Sequence, residues 1–383
     1  MFRFSFTLLL AGLMLAGCDQ KTDGIRVETI DGVEIIHNPA TPYTNTKLEL
    51  VEELVLGSSE DEADPVLFQP SAFAVSPEGA LYIGDNADNA IKIFDAAGTF
   101  IKKFGSRGGG PGEFQDIGTL AFTPDGRLIV ADPMAQRVSL FSGDGTFLDS
   151  FSITFWPSRI LMATDSLVAF TFSTFGKDQE RLLAIFRTTL SGTKKDTLTG
   201  FTPVKLQVHH EKGMSVGYSI PNAPRSILTA DRDKHWFYHC LNSSYSIDVL
   251  DSSGTVIRRI QRPYQLQPYT DVEKEKFRER AKKQQNEIAK KLILSMDLPD
   301  FKTVTERMLV DDQHRLWVQT NETRGEEQAK ETAWDIFDSS GRYQARVWLA
   351  VTPQYIIGDK LYARRFDEGV VSIMRFGMRW SED

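Results

Sequence analysis

Apolar residues along 71–104 come in short bursts, FAV, LYI, IKIF and TFIKKF, parted by SPEG, by a polar loop that opens on Asp85, and by DAAG. The same order returns 47 residues later, at 118–151, and ten of the 34 paired positions are identical, among them Pro77/Pro124, Gly79/Gly126, Leu81/Leu128, Asp85/Asp132 and Gly98/Gly145. Turn-forming Pro, Asp and Gly between β-rich runs predict hairpins. Each unit therefore predicts four short antiparallel strands. One such unit cannot bury both its faces, so a period of this length predicts neighbouring blades arranged in a ring, a β-propeller.

The grammar continues with varying strength. Blade one is read over 68–104, blade two over 114–151, blade three over 159–170 and 182–192, blade four over 227–240 and 245–260, and blade five over 308–320 and 334–349. Blade six offers only YIIGD, KLYARRF and VVSIMRF. Second-strand anchors at Leu81, Leu128, Leu167, Trp236, Leu316 and Leu361 give six blades. The run KLELVEELVL at 47–56 has no strands before it and supplies the fourth strand that blade six lacks, closing the ring. Residues 271–294 break the β pattern: a Thr270/Glu273 capping box and a stripe of Phe277, Ala281, Ile288 and Leu292 predict a helix between blades four and five. The expected fold is thus all-β: a six-bladed propeller of four-stranded antiparallel blades over 47–380, closed by an N-terminal strand and carrying one helical insertion.

Residues 1–17 combine Arg3 with the apolar run FTLLLAGLMLAG, an export signal. Its end, LAGC at 15–18, resembles the lipobox of bacterial lipoproteins, which implies that Cys18 is lipidated and becomes the mature N-terminus. Residues 18–46 then read as the lipidated cysteine and a polar tether, so that deleting 19–40 is expected to leave stability unchanged. Losing Arg3 with the signal moves the net charge from −8 to −9, which argues against nonspecific nucleic-acid binding. Two cysteines are too few for a disulfide framework. The linker GGGPGEF at 108–114, with SPDG-like turns and F-D-x-x-G elements, looks like NHL repeats, and together with the lipobox it is similar to bacterial six-bladed β-propeller lipoproteins.

In a propeller the links between blades and the loops from second to third strand share one face. The longest excursions, 171–181, 193–224, 261–303 and 320–333, occupy those positions and mark the expected binding face. Arg159, Arg225, Glu306 and Arg307 stand beside first-strand starts, next to the channel, and Arg364 and Arg365 lie in the blade-six loop. A ring of guanidinium groups there would hold a carboxylate or phosphate; the competing reading pairs these arginines with neighbouring acids. Asp85 and Asp132, equivalent in consecutive blades, read as hydrogen-bonding devices of the turn rather than as ligands. A lyase related to NHL propellers, the peptidyl-amidoglycolate lyase, uses histidines from different blades on zinc; here His37, His209, His210, His235, His239 and His314 do not fall in equivalent positions. Gluconolactonase-like propellers need several carboxylates in the channel, where Glu306 is the one clear candidate. No GxSxG or phosphate loop occurs, so no catalytic residue, metal ligand or cofactor is assigned. The sequence is read as a membrane-anchored envelope protein, on the periplasmic or outer-membrane face, that binds a protein, peptide or glycan. The alternative is a lactonase-like metal-dependent hydrolase or lyase.

Overall fold

The computed structural model describes residues 24–57, 67–175, 181–211, 214–326, 330–367 and 370–382. Six sheets contain the blades. Blade one runs Pro70–Val75, Leu81–Asp85, Ala90–Phe94, Phe100–Phe104, and blade two runs Thr119–Phe122, Leu128–Asp132, Arg137–Phe141, Phe147–Ser152. Blade three is Pro157–Ala163, Leu167–Phe175, Arg181–Thr189, Lys195–Phe201. Blade four is Ser226–Asp231, Trp236–Leu241, Ser246–Leu250, Val256–Gln261, and blade five is Thr305–Val310, Leu316–Arg324, Glu331–Phe337, Tyr343–Leu349. Blade six uses Pro353–Ile357, Lys360–Asp367 and Val370–Glu382, and its fourth strand is Thr46–Leu56, antiparallel to Val370–Glu382. The ring closes as the missing strand requires.

Each pair of neighbouring blades encloses its own apolar cluster, six in all. Tyr82, Ile91, Phe114, Phe122 and Phe141 fill the space between blades one and two. Leu56, Phe73, Tyr362 and Ile373 fill that between blades six and one, so the closing strand also seals the last interface. Burying each of these side chains stabilises the fold by about 1.5–3 kcal/mol. The anchors Leu81, Leu128, Leu316 and Leu361 are fully buried. The turn from third to fourth strand repeats as well. Asp95 accepts from the backbone N–H of Ala97 and Thr99, Asp251 from Ser253 and Thr255, and Asp338 from Ser340 and Arg342. A left-handed glycine follows each, Gly98, Gly254 and Gly341, as Gly145 does in blade two, and a Cβ there would strike the outer strand of the preceding blade.

Three expectations need correction. The stretch 18–46 is not a plain tether: Arg26–Ile30 and Val33–His37 form a hairpin around Asp31 and Gly32, both at positive φ. Val33–His37 pairs in parallel with Val256–Gln261 and extends blade four to six strands. The reason is a turn and an anchor: Asp31-Gly32 closes the hairpin, and Ile36 buries itself beside Ile260 and Gly341. The chain then crosses blade five, where Tyr43 and Thr44 donate to the carbonyls of Tyr343 and Gln344, before it enters blade six. The N-terminal segment is a strap over three blades.

Second, the stretch 193–224 holds blade three's fourth strand and a hairpin, Leu206–Glu211 with Met214–Ser219. The fourth strand reads KDTLTGF and is mostly exposed, so no apolar run announces it. Third, the helix breaks into α1, Asp271–Lys282, and α2, Glu287–Leu294. The Thr270/Glu273 capping box forms, but Asn286 caps a second start by accepting from Ile288 and Ala289 N–H. Ala281, Ile293, Met296 and Leu298 bury against one another and against Tyr218, so the link helices and the link hairpin pack into one cap.

Candidate functional site

The registers fix which ends share a face. First-strand starts pair with second-strand ends: Pro70 with Asp85, Ser226 with Leu241, Thr305 with Thr320. Links and second-to-third-strand loops therefore emerge together, and the cap, with the lengthened hairpins of blades three, five and six, rises from that face. The tips at 176–180, 212–213, 327–329 and 368–369 lie outside the described residues. Among the described residues, eleven of the seventeen exposed large apolar side chains belong to this face, which makes it the more apolar side of the ring; Phe366 is 73% exposed, Phe68 68% and Trp156 57%. Single exposed apolar residues are ordinary, whereas their concentration on one face marks an interaction surface.

Asp85 and Asp132 carry out the same structural task in adjacent blades. Asp85 accepts the N–H groups of Phe68, Gln69 and Ala87 and pairs with Lys92 Nζ at 2.8 Å. Asp132 accepts those of Gln115, Asp116 and Ala135. Each carboxylate ties the incoming link to its own blade's loop. Burial alone would raise the Asp85 pKa, but Lys92 and the backbone donors hold it below its ordinary value.

The proposed arginine ring separates into three groups. Arg225 and Glu306 pair with each other at 3.1 Å, and Glu306 also accepts from Thr303 Oγ1 at 2.6 Å and Asn321 Nδ2 at 2.9 Å. Arg364 donates to the carbonyls of Pro70 and Ser71, bridging blades six and one, and Arg365 stands exposed on the blade-six hairpin. Arg159 and Arg307 remain, at equivalent places on the inner strands of blades three and five. In each, a bulge falls after the first strand residue, between Pro157 and Arg159 and between Thr305 and Arg307. The same bulge in blade six, between Pro353 and Tyr355, places Tyr355 in the equivalent position. Tyr355 was not singled out in the sequence; the shared frame Pro-x-Arg in blade three and Pro-x-Tyr in blade six is the signal that marks it. Arg159 opens onto channel water but is walled by protein, and this enclosure lowers its guanidinium pKa; Tyr355 acts against that shift and Arg307 adds to it. Burial pushes the Tyr355 phenol up to about 12, with Arg159 pulling the other way.

A second polar cluster lies between blades four and five. The fully buried Asp335 accepts from Tyr245 and Tyr343 hydroxyls at 2.6 Å each, from Arg262 Nη2 at 2.8 Å and from Arg346 Nε at 2.7 Å. Burial would raise its pKa; Arg262 and Arg346 outweigh it and hold the carboxyl below its usual range. Arg262, Tyr264, Glu322 and Ala40 also line an open cleft of about 450 Å³. All four hydrogen-bond partners of Asp335 belong to the fold, so the cluster is a rivet between blades.

The described histidine side chains do not converge. His235 and His314 sit in turns at positive φ, His314 against Asp231 at 2.9 Å. His239 meets Ser226 Oγ at 2.8 Å and burial lowers its pKa. His37 contacts Glu28 at 2.7 Å, and the side chains of His209 and His210 lie outside the described residues, as does Cys18. Among the described residues no three His, Cys, Asp or Glu side chains gather where they could hold a metal ion. Cys240 is buried, and burial pushes its thiol up to about 11. No helix among the described residues is long and apolar enough to cross a membrane.

No curated protein matches the sequence. Among solved structures, a Bacteroides vulgatus member of the DUF4221 family aligns over 89% of this chain and 100% of its own, with a TM-score of 0.53 and 11% identity. A candidate exported protein of Bacteroides fragilis aligns over 91% and 99%, with a TM-score of 0.49 and 14% identity. A virginiamycin B lyase from Staphylococcus aureus aligns over 87% and 99%, with a TM-score of 0.40 and 13% identity. At these identities the likeness concerns the fold. A family model of 6-bladed β-propellers matches residues 67–309, more than half of the sequence, and the chain belongs to that family, DUF5128.

Proposed function

We infer that this propeller is an exported, lipid-anchored binding protein whose link-bearing face engages a protein partner at the cell envelope. The observation that carries the reading is the concentration of exposed apolar and aromatic side chains on that face, Phe68, Trp156, Phe301 and Phe366 among them. Aromatic side chains bring large contact area at small entropic cost, which suits a protein or peptide better than a small metabolite. A glycan stacking on the same rings is the competing ligand. Lipidation of Cys18 remains part of this proposal, as does the NHL-like character of the blades. If Cys18 carries the lipid, the folded chain at Ile25 lies within roughly 25 Å of it by contour length, so blade four's outer edge would sit close to the membrane.

Site-specific photo-crosslinking in cells tests the reading. A crosslinker at Trp156 or Phe366 is expected to capture a discrete protein adduct. One at Ser253, exposed in a turn on the opposite face, is expected to capture none. Equal adducts from both faces, or none from the link-bearing face, overturn it.

A further inference from the structure

Arg159 and Arg307 bring two positive charges into the channel, and among the described residues no carboxylate pairs with either. Arg159 donates through Nη2 to the Leu228 carbonyl at 2.6 Å, a neutral partner on the neighbouring blade. Besides burial, the groups that act on its ionisation are Tyr355 and Arg307, and neither is a carboxylate. Glu306, next to Arg307 in sequence, is committed to Arg225, Thr303 and Asn321. Among the described residues Arg307 has no hydrogen-bond or ion-pair partner. Tyr355 is fixed as a wall: its hydroxyl donates to the Phe73 carbonyl at 3.1 Å and its ring stands edge-on to Phe73 at 5.2 Å.

Two like charges set on the inner strands of one channel repel each other unless something of opposite sign joins them. Arginine offers planar, paired donors that match the oxygens of a carboxylate or phosphate. The bulges that re-aim Arg159, Arg307 and Tyr355 recur in the three blades that supply them, while other blades place small or apolar residues, such as Ala72, at the same frame. The geometry points to an oxyanion site in the central channel, in which Arg159 and Arg307 hold one carboxylate or phosphate group against the wall formed by Tyr355. On a chain of net charge −8 the site is a local exception, so its ligand is selected by the paired guanidinia and not by the overall field. The inference stands apart from the proposed partner-binding face.

The test is isothermal calorimetry on the full chain in detergent, with inorganic phosphate and with succinate as separate probes and ionic-strength-matched chloride as the control. Saturable binding of either probe, absent for chloride, is expected, and the stronger probe tells phosphate from carboxylate. Arg159→Gln and Arg307→Gln should each weaken it by about ten- to a hundredfold. In buffer free of oxyanions, Arg307→Gln should melt at or above the wild-type temperature, because the repulsion is gone. Trp156→Ala should bind the probes as the wild type does, whatever becomes of partner capture. No saturable binding of either probe, binding unchanged in the arginine variants, binding lost in Trp156→Ala, or a lower melting temperature for Arg307→Gln in oxyanion-free buffer would overturn the site.

Discussion

Replacing Asn38 by alanine should loosen the strap that crosses three blades. Asn38 is 4% exposed and sits where the N-terminal hairpin leaves blade four. Its Nδ2 donates to the Gly341 carbonyl at 3.0 Å and to the Gln261 carbonyl at 3.3 Å, and its Oδ1 accepts the Tyr343 N–H at 2.7 Å. One side chain thus joins the outer strand of blade four to the turn and outer strand of blade five. Alanine leaves the Tyr343 N–H buried without that acceptor, which costs about 1–3 kcal/mol, and loses the donated bonds at about 0.5–1.5 kcal/mol net. The expected loss is about 2–4 kcal/mol, a fall in melting temperature of roughly 3–8 °C for a domain of this size. Thr29→Ala, on the exposed side of the same hairpin, should change stability by less than about 0.5 kcal/mol. Thermal unfolding followed by circular dichroism on the full chain measures both. An Asn38→Ala variant that melts with the wild type would refute the strap, because residues 24–46 would then act as the loose tether that their polarity suggests.

Gly145→Ala should destabilise the interface of blades one and two by about 2–4 kcal/mol in denaturant unfolding, from left-handed strain plus overpacking against Phe104, whose Cδ1 would lie 2.5 Å from the new Cβ. Gly126→Ala has similar strain at φ +81 but open space around the Cβ, so it should cost about 1 kcal/mol; equal losses would refute the packing account. The carboxyl of Asp335 titrates below its unfolded value, so its contribution to stability is complete above about pH 4 and is lost as pH falls through the lower folded pKa. Stability measured from pH 5 to pH 2 should therefore decline less steeply in Asp335→Asn than in the wild type, and parallel slopes would remove Asp335 from the acid response.

What the sequence makes legible is whatever repeats. Leu81 and Leu128, Gly98 and Gly145, and Asp85 and Asp132 each answer a need that every blade has, so periodicity exposes them, and the unpartnered strand at 47–56 follows from counting. Strand edges are harder. The Asp31-Gly32 turn carries a hairpin signal of its own, but its docking on blade four depends on Ile36 meeting Ile260 and Gly341, contacts made across more than 200 residues of chain. The candidate site is less legible still, because it depends on departures from the repeat. Arg225 and Glu306 are 81 residues apart and become partners only because blades four and five are neighbours in the ring. Arg159, Arg307 and Tyr355 take equivalent positions through one inserted residue in each first strand. A bulge shifts the side chains after it to the other face, so simple alternation from the strand start assigns them wrongly. This separates the two kinds of polar residue in the molecule. Those that recur with the repeat, such as Asp85, Asp132, Asp95 and Asp251, have all their partners within one blade or its link. Those that occur where the repeat bends are matched across blades, as Arg225 is to Glu306, or left with like charge for company, as Arg159 and Arg307 are. A propeller built from a degenerate repeat carries individual chemistry at the positions where its blades differ, and in this chain those positions face the channel and the link-bearing side.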